Sequence, residues 1–140
     1  MSLEKKVDLL NSLISKELWY DFEVVELKDG DFKIIGSTDF STHHSLEIIF
    51  IDVYHLNINH SWRTDTSNPV LFILASDEAE KYNLKFEIIK GFEVFKIIVE
   101  DFNRSFYIAA KEIEFEAKKV WYYDKSDLAD GEEIATWVSR

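Results

Sequence analysis

Leu46-Glu47-Ile48-Ile49-Phe50-Ile51-Asp52-Val53-Tyr54-His55-Leu56-Asn57-Ile58 is the longest apolar run in the 140-residue chain, and its reading decides the fold. In extended backbone Leu46, Ile48, Phe50, Tyr54, Leu56 and Ile58 share one face, while Ile49, Ile51 and Val53 share the other. A strand that is apolar on both faces is expected to be covered on both sides. Asp52 interrupts the first face, so there the strand bulges, reaches solvent or pairs its carboxylate inside.

Upstream of the run, the first eighteen residues read as an amphipathic helix. Leu3, Val7, Leu10, Ile14 and Leu18 recur at helical spacing, Leu13 widens the stripe, and Lys5, Lys6, Asp8 and Lys16 take the other face. From Trp19 to Leu27 the period becomes two. Lys28-Asp29-Gly30-Asp31 is a hairpin turn signal, because Asp-Gly tolerates the positive φ such turns need, and Phe32-Lys33-Ile34-Ile35 returns as the partner.

Downstream, residues 70–75 read as a short buried strand. Ser76 to Glu80 carries N-cap chemistry for one helical turn, with Asp77 and Glu80 at capping-box spacing. Leu84, Phe86 and Ile88 then alternate on a strand that turns at Lys90-Gly91, and residues 92–99 run back to close a second hairpin. Residues 109–121 carry both periods; strand is preferred, because another antiparallel partner needs no crossover. A short C-terminal helix burying Ile134 and Trp137 is expected. The sum is an α+β fold: an N-terminal helix packed on a mainly antiparallel β-sheet curled into a sandwich or partly open barrel, in one domain over residues 1–140.

The four histidines lie between positions 43 and 60. At ~3.3 Å per residue, a single strand would separate His43 from His60 by roughly 55 Å. His43 and His44 diverge as neighbours, and nothing in the spacing brings three or four ligands to one ion. Neither a metal nor a cofactor is expected. With no cysteine, disulfides and thiol chemistry are excluded. No nucleophile elbow, phosphate loop or dinucleotide fingerprint occurs. Asp52 and His55 would face opposite sides of a regular strand, so they make no dyad. A non-enzymatic protein is expected.

The formal charge of −11 sets the choice of partner. It opposes nucleic acid, since no basic patch breaks it; the densest cluster, Lys118-Lys119, follows Glu112, Glu114 and Glu116. No segment after Met1 reads as a secretion signal, and no stretch reaches the ~18 apolar residues of a membrane span, so a soluble cytoplasmic protein is expected. A surface of this sign steers a basic protein. Asp21, Glu23, Glu26, Asp29 and Asp31 are the candidate steering charges. Aromatics make up 15% of the chain, and Trp62 and Tyr122 are the candidate anchors. A different class of function is a barrel holding an apolar or aromatic small ligand among Phe50, Tyr54, Phe86 and Phe95. A homodimer through an exposed strand edge is a third. The oligomeric state is open.

The rhythm of residues 46–56, and of Phe106-Tyr107-Ile108-Ala109-Ala110-Lys111-Glu112-Ile113-Glu114-Phe115, resembles that of small β-rich immunity proteins from bacterial polymorphic toxin systems. The resemblance covers about half the chain. The Phe-His-Asp stretch associated with one such family is missing, Phe40-Ser41-Thr42-His43-His44 being the nearest text, so no family residue carries over. The resemblance implies a protein that binds and blocks a cognate, often basic, toxin.

Overall fold

A computed structural model describes residues 1–139. Helix α1, Leu3–Ile14, starts at Ser2, whose hydroxyl accepts the Lys5 N–H. It ends four residues short of the stripe read from sequence, and Leu18 is left exposed. Strands β1 (Trp19–Lys28) and β2 (Asp31–Ser37) follow as an antiparallel pair. Their turn has positive φ at both Asp29 (54°) and Gly30 (83°), as the Asp-Gly signal predicts.

The long apolar run is two strands. β4 (Leu46–Ile51), preceded by the two-residue β3 (His43–His44), joins β2. At Asp52 the chain takes φ 54°, leaves that sheet, and re-forms as β5 (His55–Asn57) in another. The facing survives the break: Leu46, Ile48 and Phe50 are buried, and Leu56 and Ile58 pack against the same core. Tyr54, beside the kink, is exposed. Of the opposite face, Ile49 and Ile51 are half-buried on the outer sheet surface, while Val53, just past the kink, packs against the core.

β6 (Ser61–Asp65), β7 (Leu71–Ile73), β8 (Glu93–Ile97), β9 (Phe106–Ala110) and β10 (Glu112–Glu116) complete the two main sheets. The five-stranded sheet has the order β10-β4-β2-β1-β6, and the four-stranded sheet β5-β9-β8-β7. They share a corner. β4 continues into β5 while β9 continues into β10, and the turning strands are tied by Lys111 N–H to Ile51 O (3.0 Å) and Tyr54 N–H to Ala109 O (2.8 Å). Away from it, the Thr64 hydroxyl donates to Ile98 O (2.6 Å) and Glu100 N–H to Arg63 O (2.9 Å). The sheets are not closed into a barrel. β11 (Val120–Trp121) and β12 (Glu133–Ile134) form a small sheet with β3, where sequence had predicted a C-terminal helix; Ile134 is buried there but Trp137 is exposed. Residues 112–116 are strand, as preferred.

The expected second hairpin is absent. Helix α2 spans Ser76–Phe86 and ends at Glu87 in the left-handed conformation, so Leu84 and Phe86 are helical and β8 pairs with β7 and β9 instead. Its N-cap is Ala75, which makes no side-chain bond.

α1 packs on β10 and β7. Val7, Leu10 and Ile14 enter the core beside Phe22, Ile34, Phe50, Phe95 and Ile113. Lys6 Nζ reaches Glu114 (2.8 Å), Glu112 (3.3 Å) and Ile113 O (3.4 Å) on the β10 edge. Asn11 serves the β7 edge: its Oδ1 accepts from Leu71 N–H (3.0 Å) and Val70 N–H (3.1 Å), and its Nδ2 donates to Leu71 O (2.9 Å). One side-chain amide thus stands in for a neighbouring strand.

Candidate docking face

On the five-stranded sheet, alternation turns Phe22, Trp62, Ile34, Ile48 and Ile113 inward and the residues between them outward. Register then fixes the outer rows. Glu114, Ile49, Lys33 and Glu26 lie across β10, β4, β2 and β1, and the next row is Glu116, Glu47, Ile35, Glu23 and Ser61. A third row holds Asp21 opposite Arg63. The face therefore has a half-buried apolar strip, Ile35, Ile49 and Ile51, within an acidic surround.

Some of these acids are neutralised in place. Arg63 donates from Nε and Nη2 to the two oxygens of Asp21 (2.8 and 3.3 Å) while its guanidinium lies 4.4 Å from the Trp19 ring centroid. Lys33 Nζ is 3.1 Å from Glu47. Glu23, Glu26, Asp31 and Glu116 form no ion pair among the described residues. Asp31 does accept the Asp52 N–H (3.2 Å).

An aromatic pair stands at the Glu23–Glu47 end. Tyr122 OH is 2.6 Å from His44 Nδ1, and His44 Nε2 is 2.8 Å from Glu47 Oε2. An ionised carboxylate can only accept, so His44 Nε2–H donates to Glu47, and Nδ1 pairs with the Tyr122 hydroxyl. Burial, reinforced by the nearby Glu23 and Glu47 charges, pushes the Tyr122 phenol up to about 12. Burial also pushes the Glu47 carboxyl up, but hydrogen bonds from His44 and Lys33 outweigh it and leave the group below its ordinary range. The hydroxyl–imidazole–carboxylate chain fixes the Tyr122 ring, and Trp137, 69% exposed, lies 5.3 Å from it.

Of the residues singled out from sequence, Asp21, Glu23, Glu26, Asp31 and Tyr122 belong to this one face or its margin. Asp29 is at the β1–β2 turn tip. Trp62 is a correction: it is only 3% exposed, 5.7 Å from the Phe22 ring and edge-on to Phe106 at 5.2 Å, so it is core and cannot anchor a partner. Its even position on β6 puts it inward with Thr64. Ile35, Ile49 and Trp137 were missed. Ile49 read as part of a second covered face, Ile35 only as part of the returning hairpin strand, and Trp137 as buried in a C-terminal helix.

The four side chains expected to line a ligand chamber do not share one. Phe50 and Phe95 meet at 5.2 Å in the core, Phe86 belongs to α2, and Tyr54 is exposed against Phe92 at 4.9 Å. The central void, lined by Leu10, Phe22, Phe50 and Trp62 among others, is about 20 Å³, space for a single water. Three of the strand edges are already occupied: β10 by Lys6, β7 by Asn11 and β6 by Glu100. Among the described residues no three His, Asp or Glu side chains converge as an ion requires, and no helix is long and apolar enough to cross a membrane. No protein-family model matches the sequence, and comparison with curated proteins and with solved structures gave no match.

Proposed function

We propose that the chain is a non-enzymatic binding module that captures a basic protein on the outer face of its five-stranded sheet. The single observation behind this reading is the apolar strip Ile35–Ile49–Ile51, ringed by Glu23, Glu26, Glu116 and Glu114 and ended by Tyr122 and Trp137. An apolar centre with a charged rim is the anatomy of a protein interface. The rim carboxylates bring a cationic partner in, and the strip and aromatic pair hold it. Nucleic acid is repelled by the same charge, and no cofactor has a role. A cytoplasmic immunity protein that blocks a basic toxin is the specific form of this reading.

Pull-down against the product of the adjacent reading frame, at low and high salt, tests it. Capture is expected to weaken with salt, and the triple reversal E23K/E26K/E116K should slow association by about 10- to 100-fold at low ionic strength. Binding indifferent to both salt and the reversals would overturn the reading, as would no binding at all.

A further inference from the structure

The second helix sits on the four-stranded sheet in an unusual way. α2 buries no residue completely, and its N-cap Ala75 offers no side-chain bond. It leans on the sheet through Tyr82 and Phe86. Tyr82 is 4.6 Å from the Tyr107 ring and 4.5 Å from Phe86, and His55 of β5 lies 5.5 Å from Tyr82 and 5.0 Å from Phe86 between centroids. The Asn83 Oδ1 is buried without a partner among the described residues. Few buried contacts and an uncapped start put this helix at the low-stability end of the molecule.

The polar contacts beneath α2 form a chain that starts at Arg104. Arg104 can only donate, and it donates to Asn57 Oδ1 (3.1 Å) and Asn59 Oδ1 (2.9 Å). That turns the Asn57 Nδ2 toward Tyr82 OH (3.4 Å). The Tyr82 oxygen is thus an acceptor for Asn57, and its own proton points to His55 Nε2 at 2.9 Å. This order holds with His55 neutral and Nε2 bare, the charge state that its burial favours.

We propose that α2 is a proton-operated latch: a proton arriving on His55 Nε2 displaces the Tyr82 hydroxyl and frees the helix from the four-stranded sheet. After protonation, Nε2–H and Asn57 Nδ2–H both face one oxygen, and the hydroxyl proton has lost its acceptor. The surrounding groups give the new charge no counterion. Tyr82 faces it from α2, with Lys85 beyond at 5.3 Å from the Phe86 ring; Tyr107 lies on β9, Lys96 shares the Tyr107 register on β8, and Arg104 stands behind Asn57. No carboxylate bonds the His55 ring among the described residues. Burial correspondingly holds the imidazole below its ordinary value. The sign follows: docking strength is complete above the ordinary histidine value, ~6.5, and declines as pH falls toward the depressed one. In that window the released fraction rises by up to about tenfold per pH unit.

NMR of the full chain between pH 7.5 and 5.0, following the His55 ring and the Ala79 and Tyr82 backbone carbons, reads this directly. In the wild type the α2 carbons are expected to move toward coil values in step with His55. H55F keeps the ring stack but removes both the proton acceptor and the Tyr82 bond, so its α2 should be loosened to the same extent at pH 7.5 and pH 5.0, with no step between them; H60Q, at an exposed histidine, should behave as wild type. Y82F removes the displaced hydroxyl, so α2 should already be loosened at pH 7.5 and the further change on acidification should shrink. A wild-type α2 still helical or better protected at pH 5.0 overturns the latch, whether or not His55 titrates. So does an unaltered step in H55F or in Y82F.

Discussion

Asn11→Ala is the sharpest test of how the sheet edge is managed. Register shows why the amide is needed: Leu74 N–H and Val70 O turn toward β8, which leaves the Leu71 N–H and C=O pointing away from the sheet. Asn11 satisfies both, and Val70 N–H as well. Val70 and Leu71 are 3% and 4% exposed. Leaving a buried backbone group unpaired costs about 1–3 kcal/mol. The groove of about 550 Å³ between α1 and β7, which Asn11 and Leu71 both line, lets water replace part of the loss. The expected destabilisation is therefore about 2–4 kcal/mol for the three bonds together, or a fall of roughly 8–15 °C in Tm for a chain of this size. Urea unfolding of N11A beside S12A measures it. Ser12 lies on the same groove and its side chain makes no hydrogen bond among the described residues, so S12A corrects for the helix preference of alanine. An N11A within 0.5 kcal/mol of S12A, on about the scale of a neutral surface change, would refute the edge-pairing role.

Three further outcomes are expected. W62A should cost about 3–5 kcal/mol in chemical denaturation while leaving partner association per folded molecule unchanged, since the ring is core; a selective loss of binding would restore it as an anchor. G36A should destabilise by about 1–3 kcal/mol, because a Cβ there would sit 2.8 Å from Phe22 Cε1 and 3.2 Å from Tyr20 Cδ1; wild-type stability would show that both rings can give way. Absorbance titration at 295 nm should find one phenol ionising near 12 that is missing in Y122F. Since the folded value lies above the ordinary one of 10.0, this group's contribution is complete below pH 10 and drains away as pH rises toward 12.

Legibility in the sequence followed the strength of local physics. The Asp29-Gly30 turn was readable because positive φ restricts residue choice. The even positions of β4 and β5 were readable because burial enforces a period of two even across a change of sheet. The change of sheet itself was not: Asp52 signalled an interruption, but extended backbone on both sides hides where each half pairs. α2 was misread because Leu84, Phe86 and Ile88 alternate by coincidence, two of them in the last helical turn. Asn11 gave no signal, since a polar residue on the flank of an apolar stripe looks solvated until its partner strand is known. The docking face was half legible. Glu23 and Glu26 were singled out from sequence and Glu116 was not, because the register that gathers the three around Ile35 and Ile49 exists only in the folded sheet.

The two surfaces on which α1 rests are made late in the chain. Asn11 waits for Leu71, 60 residues on, and Lys6 waits for Glu112 and Glu114, more than 100 residues on. At a synthesis rate of about 5–20 residues per second, the helix spends roughly 5–20 s outside the ribosome before its last support is made. Its apolar stripe, Val7, Leu10 and Ile14, is open to chaperones for that interval. An element translated well before both of its supports is thus among the last that can settle, and a nascent chain halted before β10 would still carry α1 unseated.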